Sequence, residues 1–217
     1  MTNLIDPRQT LVDAVRHVAA KGLNSGTSGN ISLRLDTGML ITPTGIAPDA
    51  LGRASMVEMS LDGEWQGTVR PSSEWNMHAA IYRAIPEAEA IVHAHPDHCV
   101  ALSCLRESIP PFHYMIASFG GDDVPCSDYA PFGTEELAQA AVRALAGRNS
   151  CLLANHGMIS FGPSLAIALA RTQKLETLAR QYLLARSVGR PVMLTEEELG
   201  VVKTRYKTYG QQSPSDF

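Results

Sequence analysis

Apolar residues along the chain recur with two different periods, and these periods predict strands and helices in turn. Ile31–Leu35 and Met39–Pro43 alternate apolar and polar positions on either side of an Asp-Thr-Gly turn, which predicts a β-hairpin. Helical spacing appears in a first helix from Asp6-Pro7 to about Lys21 and in a long helix over Leu165–Arg186. The two periods together indicate an α/β protein.

The remaining patterned segments complete this assignment. Further strands are predicted at Met56–Leu61, Ala90–His95, Cys151–Asn155 and Met158–Phe161, and further helices at Glu74–Ala84, after Pro96 and at Glu135–Ala146. Hairpins interleaved with helices favour a sandwich with a mixed, mostly antiparallel central sheet covered by helices. No linker, charge block or repeat divides the sequence, so we expect one domain over residues 1–217, with a loose tail at about 211–217.

Composition restricts the classes of partner. The 217 residues are 45% hydrophobic and 18% charged, with a formal net charge of -4, and no basic run suits a nucleic-acid backbone. The amino terminus does not have the pattern of a signal peptide, and no apolar segment is long enough to span a bilayer. The four cysteines show no CxxC spacing and suggest reduced thiols. We therefore expect a cytoplasmic protein without nucleic-acid or membrane partners.

Three histidines are candidates for a metal site. His93 and His95 lie two apart in a predicted strand, where side chains of residues i and i+2 point to the same face. His156 follows another predicted strand just before the chain turns back. Three imidazoles would leave a divalent ion an open position for catalysis, although buried histidines that serve structure alone fit the spacing equally well. The other histidines examined are interpreted as structural or surface residues: His17, His78, His98 and His113.

Three short segments have the composition of anion-binding loops. They are residues 25–30, 42–45 and 71–73, which are rich in Gly, Ser and Thr. Glycine lets backbone amides approach a ligand, and Ser72 and Ser73 precede a predicted helix whose amino terminus favours negative charge. Each segment alone is typical of an ordinary turn or cap, but the three together suggest a phosphate site.

An ordered set of motifs resembles a known family. The set comprises GLNSGTSGN, GMLITPTGI, PSSEW, IVHAHPDHC, IPPFHYMIASFGG, PC followed by YAPFGT, LLANHGMI and KTYG, and it extends from about Gly22 to Gly210. This set is similar to that of the class II aldolase/adducin family, and within it to the L-fuculose-1-phosphate aldolases. The resemblance implies the class II aldolase fold.

The resemblance also implies the roles of particular residues. It implies one Zn²⁺ per subunit, held by His93, His95 and His156, with Glu74 as a fourth, displaceable ligand. It implies Glu74 and Tyr114 as catalytic residues that exchange protons with the substrate. The implied phosphate-binding residues are Ser28, Gly29, Asn30, Thr44, Gly45, Ser72 and Ser73.

Assembly and the outer part of the site follow from the same resemblance. It implies a cyclic homotetramer with active sites at subunit interfaces, to which Tyr114 is contributed by the neighbouring subunit. Tyr209 matches a tyrosine that closes over the substrate, and Phe132 matches an aromatic residue that lines the aldehyde side. The Pro-Asp-His that follows His95 and the Asn155 before His156 depart from the fuculose-enzyme pattern.

The function implied is that of a zinc-dependent lyase acting on a small phosphorylated sugar. It would reversibly cleave a ketose 1-phosphate of the L-fuculose, 5-deoxyribulose or 5-methylthioribulose type into dihydroxyacetone phosphate and an aldehyde. The alternatives are a ribulose-phosphate 4-epimerase, which resembles this chain but carries Asp where Glu74 stands, a methylthioribulose-1-phosphate dehydratase, and a non-enzymatic adducin-like interaction domain. The last would be expected to lack the three histidines.

Overall fold

The computed structural model describes residues 6–206 and 208–209, so the predicted tail at 211–217 lies outside the described residues. The helices are α1 (Pro7–Ala20), α2 (Trp75–Ala84), α3 (Asp97–Leu105), α4 (Glu135–Ala144), α5 (Leu165–Val188) and α6 (Glu196–Tyr206). The strands are β1 (Asn30–Leu35), β2 (Gly38–Ile41), β3 (Val57–Met59), β4 (Ala90–Ala94), β5 (Ser150–Leu153) and β6 (Gly157–Gly162). Short 3-10 helices occur at Arg53–Ser55 and Tyr114–Phe119.

The six strands form one sheet in the order β3-β2-β1-β4-β6-β5. All the pairings between these named strands are antiparallel, and the predicted hairpin is present as β1 and β2. Of the four isolated bridges within the described residues, the one between Cys126 and Leu152 is parallel and the other three are antiparallel. The predicted α/β sandwich with a mostly antiparallel sheet is confirmed.

Helices cover both faces of the sheet, because the strands place apolar side chains alternately on each. Ile91 and Ile159 point to the face covered by α2 and α4. Ala90 and Val92 point to the opposite face, where α1 packs, and Ala94 lies there beside α3 and α5. Because His93 is next to Val92 and Ala94 in the strand, its side chain emerges on the α2 side.

The element boundaries differ from the sequence assignment in two places that matter. Glu74 is the N-cap of α2 rather than its first residue, so its side chain is at the very end of the helix. Helix α6 was not predicted, because its apolar residues form no continuous stripe. A local signal for it exists: the backbone N–H of Thr195 donates to Glu198 Oε2 at 2.8 Å, and the Glu198 N–H donates to Thr195 Oγ1 at 3.2 Å, which is a capping box.

Among the described residues, no helix combines the length and the apolar character needed to cross a membrane.

Candidate metal centre and active site

His93 and His95 lie side by side at the end of β4. Their ring centroids are 4.7 Å apart, and their Nε2 atoms are separated by 2.8 Å. His95 is held through its backbone, whose N–H donates to Asn24 Oδ1 at 2.7 Å. Gly29 makes room for this arrangement, because a Cβ there would lie 2.2 Å from Asn24 Nδ2 and 2.7 Å from the carbonyl oxygen of His93. The end of β4 and the neighbouring segment that contains Asn24 and Gly29 therefore hold both imidazoles in place.

His156 joins the pair from the turn between β5 and β6. Its ring centroid lies 4.8 Å from the centroids of both His93 and His95. Asn155 adopts the left-handed conformation at φ 54°, which turns the chain sharply before β6. Gly157 follows because a Cβ at that position would lie 2.7 Å from the His95 ring. The three histidines form a cluster in which one ligand atom from each lies within 4.8 Å of the others.

Glu74 completes this cluster from the start of α2. Its Oε2 atom lies 3.1 Å from His93 Nε2, and its Oε1 atom lies 3.4 Å from His156 Nε2. Burial opposes ionisation of this carboxyl group, but attraction and hydrogen bonding from His93, with smaller contributions from His156 and Asn30, hold its pKa well below the usual value. Glu74 is therefore a buried carboxylate at neutral pH.

The donor atoms of this cluster suit a cation. His93 Nδ1 lies 2.9 Å from the carbonyl oxygen of Met158, which can only accept, so Nδ1 carries a proton. A neutral His93 then directs the Nε2 lone pair at Glu74 Oε2, and two acceptors cannot face each other without a positive charge. Glu74 Oε1 is buried and has no hydrogen-bond partner among the described residues. A divalent ion held between these atoms would supply that charge.

The other imidazoles are kept in the form that binds metal. Burial, followed by the charges of His93 and His156, lowers the pKa of His95 to about 3. Burial, followed by the charge of His93, lowers the pKa of His156 to about 4. Both side chains are therefore neutral near pH 7 and can donate a lone pair to an ion.

The three glycine- and serine-rich segments converge on this cluster. They line one cavity of about 590 Å³ together with Glu74, His95 and His156. Phe132 lines the same cavity. The residues of the three segments that face it include Ser28, Gly29, Asn30, Thr44, Gly45, Ser72 and Ser73. The cavity thus combines hydroxyl and backbone donors with a possible metal centre.

Two predicted site residues lie elsewhere. Tyr114 and Tyr209 are absent from the lining of this cavity and instead line a second cavity of about 590 Å³ with Lys174 and Tyr206. Tyr114 is 47% exposed and Tyr209 is 81% exposed. Within the described part of the chain, therefore, neither tyrosine contributes to the cavity beside the histidine cluster.

The sequence of this chain matches a known protein family. Residues 9–183 match the family described as Class II Aldolase and Adducin N-terminal domain. The chain belongs to the class II aldolase and adducin family.

Relatives in this family resemble the chain over almost its whole length. A protein of Rhodospirillum rubrum named 5-methylthioribulose-1-phosphate/5-deoxyribulose-1-phosphate aldolase is 42% identical over 95% of this chain and 93% of its own length. The L-fuculose phosphate aldolase of Escherichia coli K12 is 43% identical over 92% of this chain and 94% of its own length. A solved L-fuculose 1-phosphate aldolase superposes with a TM-score of 0.88 at 37% identity, covering 92% of this chain and 95% of that chain.

Sequence reasoning missed Tyr129 and Arg106, which this class II aldolase chain brings to the site. Tyr129 and Asn155 line the cavity, and Arg106 connects them: its guanidinium donates to Asn155 Oδ1 at 2.7 Å and lies 5.3 Å from the centre of the Tyr129 ring. His78, interpreted from the sequence as a structural or surface residue, is completely buried next to Asn30. Its position one helical turn after Glu74 was the only sequence signal of this location.

Proposed function

We propose that the chain is a metal-dependent lyase that reversibly cleaves a ketose 1-phosphate into dihydroxyacetone phosphate and a short aldehyde. The observation that carries this proposal is the single cavity shared by Glu74, His95 and His156 and by the three anion-binding segments. Relatives named as aldolases for L-fuculose phosphate and for 5-deoxyribulose 1-phosphate support it. The substrate class follows from the cavity, which offers many donors for one phosphate.

The phosphate would bind where the three anion-binding segments line the cavity. Ser72 and Ser73 lie just before α2, where the helix dipole favours an anion. Gly45 has φ +68° and open space where a Cβ would be, so its backbone can approach a ligand closely. The net negative charge of the chain is compatible with phosphate binding. A single phosphate can be bound by directed hydrogen bonds from neutral donors and does not need a cationic surface.

The metal proposed is one Zn²⁺ held by His93, His95 and His156, with Glu74 as a displaceable fourth ligand. The soft-to-borderline nitrogen donors and the number of ligands suit zinc. When bound, the ion would supply Lewis-acid stabilisation of the negative charge left on the carbonyl fragment as the C–C bond breaks.

When the C–C bond breaks, one of its two carbon atoms becomes part of dihydroxyacetone phosphate. Glu74 would transfer the proton to and from that carbon atom. Its lowered pKa keeps it ionised near neutral pH and so able to accept a proton, and its burial places the carboxylate away from bulk water. Asn30 Nδ2 donates to Glu74 Oε2 at 3.0 Å and leaves Oε1 without a hydrogen-bond partner among the described residues. That oxygen is the one available for proton transfer.

A neighbouring subunit would supply Tyr114 to exchange a proton with the C4 oxygen of the ketose. The support is the exposure of Tyr114 and its location in a cavity other than the one beside the histidines. A tyrosine that acts on substrate must reach the cavity, so it must come from a second copy. The proposed assembly is a homotetramer with active sites at its interfaces, with Tyr209 closing over the substrate and Phe132 lining the aldehyde side.

The test is the reverse reaction. The purified protein is incubated with dihydroxyacetone phosphate and a panel of aldehydes, including lactaldehyde, acetaldehyde and methylthioacetaldehyde, and ketose 1-phosphate formation is measured. We expect condensation with at least one aldehyde and loss of the activity after chelation. If no aldehyde condenses at any metal supplement, the aldolase assignment is wrong.

A further inference from the structure

A chain of four buried hydrogen bonds leads from Glu74 into the protein core. Glu74 Oε2 is 3.0 Å from Asn30 Nδ2, and Asn30 Oδ1 is 2.6 Å from His78 Nε2. Ser32 Oγ is 2.7 Å from His78 Nδ1 and 2.7 Å from the Tyr82 hydroxyl. The five side chains are all buried, and the most exposed, Glu74, is 6% exposed. Buried polar groups linked in this way hold one another in place.

Chemistry fixes the direction of every bond in this chain. The Glu74 carboxylate can only accept, so Asn30 presents its amide N–H to it and its carbonyl oxygen to His78. That carbonyl can also only accept, so His78 Nε2 carries a proton. Burial lowers the pKa of His78 to about 3, so the ring is neutral and its Nδ1 accepts from the Ser32 hydroxyl. Ser32 Oγ then accepts from the hydroxyl of Tyr82.

Secondary structure explains why these residues meet. His78 lies one helical turn after Glu74, on the same face of α2. Asn30 and Ser32 are two apart in β1, so both point toward α2. Helix and strand each contribute alternate members, which makes the chain a rigid connection between two elements.

Without His78, the side-chain amide of Asn30 would be the least firmly held group in this chain of hydrogen bonds. The Glu74 carboxylate bonds only the nitrogen end of the amide, so without a partner at its oxygen end the amide could tilt or shift while still offering an N–H. Glu74 itself makes no side-chain capping bond to α2. The Nε2–H of His78 holds the oxygen end, and the two bonds together fix the position of Asn30.

We propose that His78 is a positioning residue, which fixes the amide of Asn30 so that Asn30 holds the Glu74 carboxylate in place for proton transfer. The inference rests on the proposed aldolase function, in which Glu74 moves a proton. Among the described residues, the His78 ring hydrogen-bonds Asn30 and Ser32, and it does not line the cavity beside the histidines.

Two substitutions at one position separate this role from simple packing. His78→Gln keeps an amide N–H at about the position of Nε2 and can still donate to Asn30. His78→Asn is shorter, so it can pair with Ser32 but cannot reach Asn30. The rate of hydrogen exchange between dihydroxyacetone phosphate and heavy water, without aldehyde, isolates the step assigned to Glu74. Misplacement of a reacting group by about 1 Å costs roughly 100-fold, so we expect His78→Asn to lose roughly 10- to 100-fold in exchange and His78→Gln to stay near wild type.

Controls distinguish a local effect from general destabilisation. Metal content should stay unchanged in both variants, because the three imidazoles are untouched. Ser160→Ala removes a buried Ser150–Ser160 hydrogen bond of 2.7 Å elsewhere in the same sheet and should lower the melting temperature without slowing exchange. Equal losses in the Asn and Gln variants at equal melting temperatures would show that His78 only packs, as would wild-type exchange in His78→Asn.

The tautomer of His78 can be observed without any activity. A long-range ¹H–¹⁵N spectrum of the wild-type protein should show His78 protonated at Nε2 and not at Nδ1. A proton at Nδ1 would overturn the inference even if His78→Asn failed to fold. If the wild-type protein neither exchanges dihydroxyacetone phosphate hydrogen nor cleaves any ketose 1-phosphate, the proposed function fails first. That result is obtained with the wild-type protein alone, so it is distinguishable from a failure of the His78 inference, which is measured on the variants.

Discussion

Asn30, the first residue of β1, lies directly opposite His93 of β4 in the antiparallel register. Asn30 belongs to an anion-binding segment, and His93 belongs to the histidine cluster. Because neighbouring strands are about 4.8 Å apart, this pairing fixes the distance between the two halves of the cavity. Backbone hydrogen bonds of the central sheet, rather than loop contacts alone, therefore hold the proposed phosphate and metal sites together.

Removal of one imidazole should empty the metal site while the fold remains. His95→Ala deletes a half-buried ligand whose backbone stays bonded to Asn24, so we expect the variant to fold and to lose bound metal and activity. Elemental analysis with circular dichroism measures both. His98→Ala is the matched control, because His98 pairs with Glu176 on α5 and should leave metal content unchanged. Full activity of the wild-type protein after exhaustive chelation would contradict the metal assignment.

Glu74→Gln should abolish proton exchange at dihydroxyacetone phosphate while metal stays bound. Glutamine keeps the size and a coordinating oxygen but cannot take a proton, and loss of a general base typically costs on the order of 10²–10⁴ in rate. Tyr114→Phe should do the reverse, since Tyr114 is assigned to the other proton: exchange continues and ketose cleavage is lost. Deuterium incorporation followed by NMR checks both variants. Exchange at the wild-type rate in Glu74→Gln would reduce Glu74 to a ligand or a helix cap.

Mixing two inactive subunits should restore part of the activity. A Tyr114→Phe subunit keeps its histidines, and a His95→Ala subunit keeps its tyrosine, so some interfaces of a mixed oligomer would contain both groups. The recovered rate is compared with the sum of the separate rates after co-refolding. A rate no higher than that sum would mean that Tyr114 acts within its own subunit or does not act at all.

Unphosphorylated ketoses should be very poor substrates. The hydroxyl and amide donors of the three anion-binding segments would each lose a charge-assisted hydrogen bond, worth roughly 1.5–3 kcal/mol. The measurement is kcat/KM for a ketose 1-phosphate and its free sugar. Ser72→Ala should narrow the difference between the two, and equal efficiencies in the wild-type protein would contradict the phosphate assignment.

Acid stability should depend on His78. Its pKa is lowered to about 3 by burial, whereas in the unfolded chain it is near 6.5, so between these values only the unfolded state binds the proton. The free energy of unfolding should therefore decrease as the pH falls from about 6.5 toward 3. In His78→Gln this slope should be shallower by about 1.4 kcal/mol per pH unit. Denaturant titrations of the metal-free protein between pH 6.5 and 4.5 test the difference, and parallel slopes would contradict it.

Periodicity and turn composition were enough to predict most of the fold. The hairpin β1–β2 and the long helix α5 follow from local patterns, since alternation and helical spacing are short-range properties. The spacing of His93 and His95 also predicted their common side. The approach of His156 could not be derived from spacing, because it depends on the pairing of β4 with β6 far along the chain. The resemblance to a family supplied that contact.

The environment of His78 shows the limit of sequence reasoning most clearly. Its apolar neighbours on α2, among them Met77 and Ile81, are compatible with burial, but they do not show which polar groups would pair with a buried imidazole. Its burial depends on Ser32 and Asn30, which lie more than forty positions earlier in the sequence. Only the packing of α2 on β1 brings the three together.

The pairing of β4 with β6 would also affect how the protein acquires the proposed metal ion. Glu74 and His156 are separated by 82 positions (156 − 74), so no short stretch of nascent chain contains the whole ligand set. Such contacts carry the entropy cost of closing a long loop and are formed late in folding. High-affinity capture of the ion should therefore coincide with the final folding phase, and stopped-flow refolding with a metal-sensitive dye would show a lag before uptake.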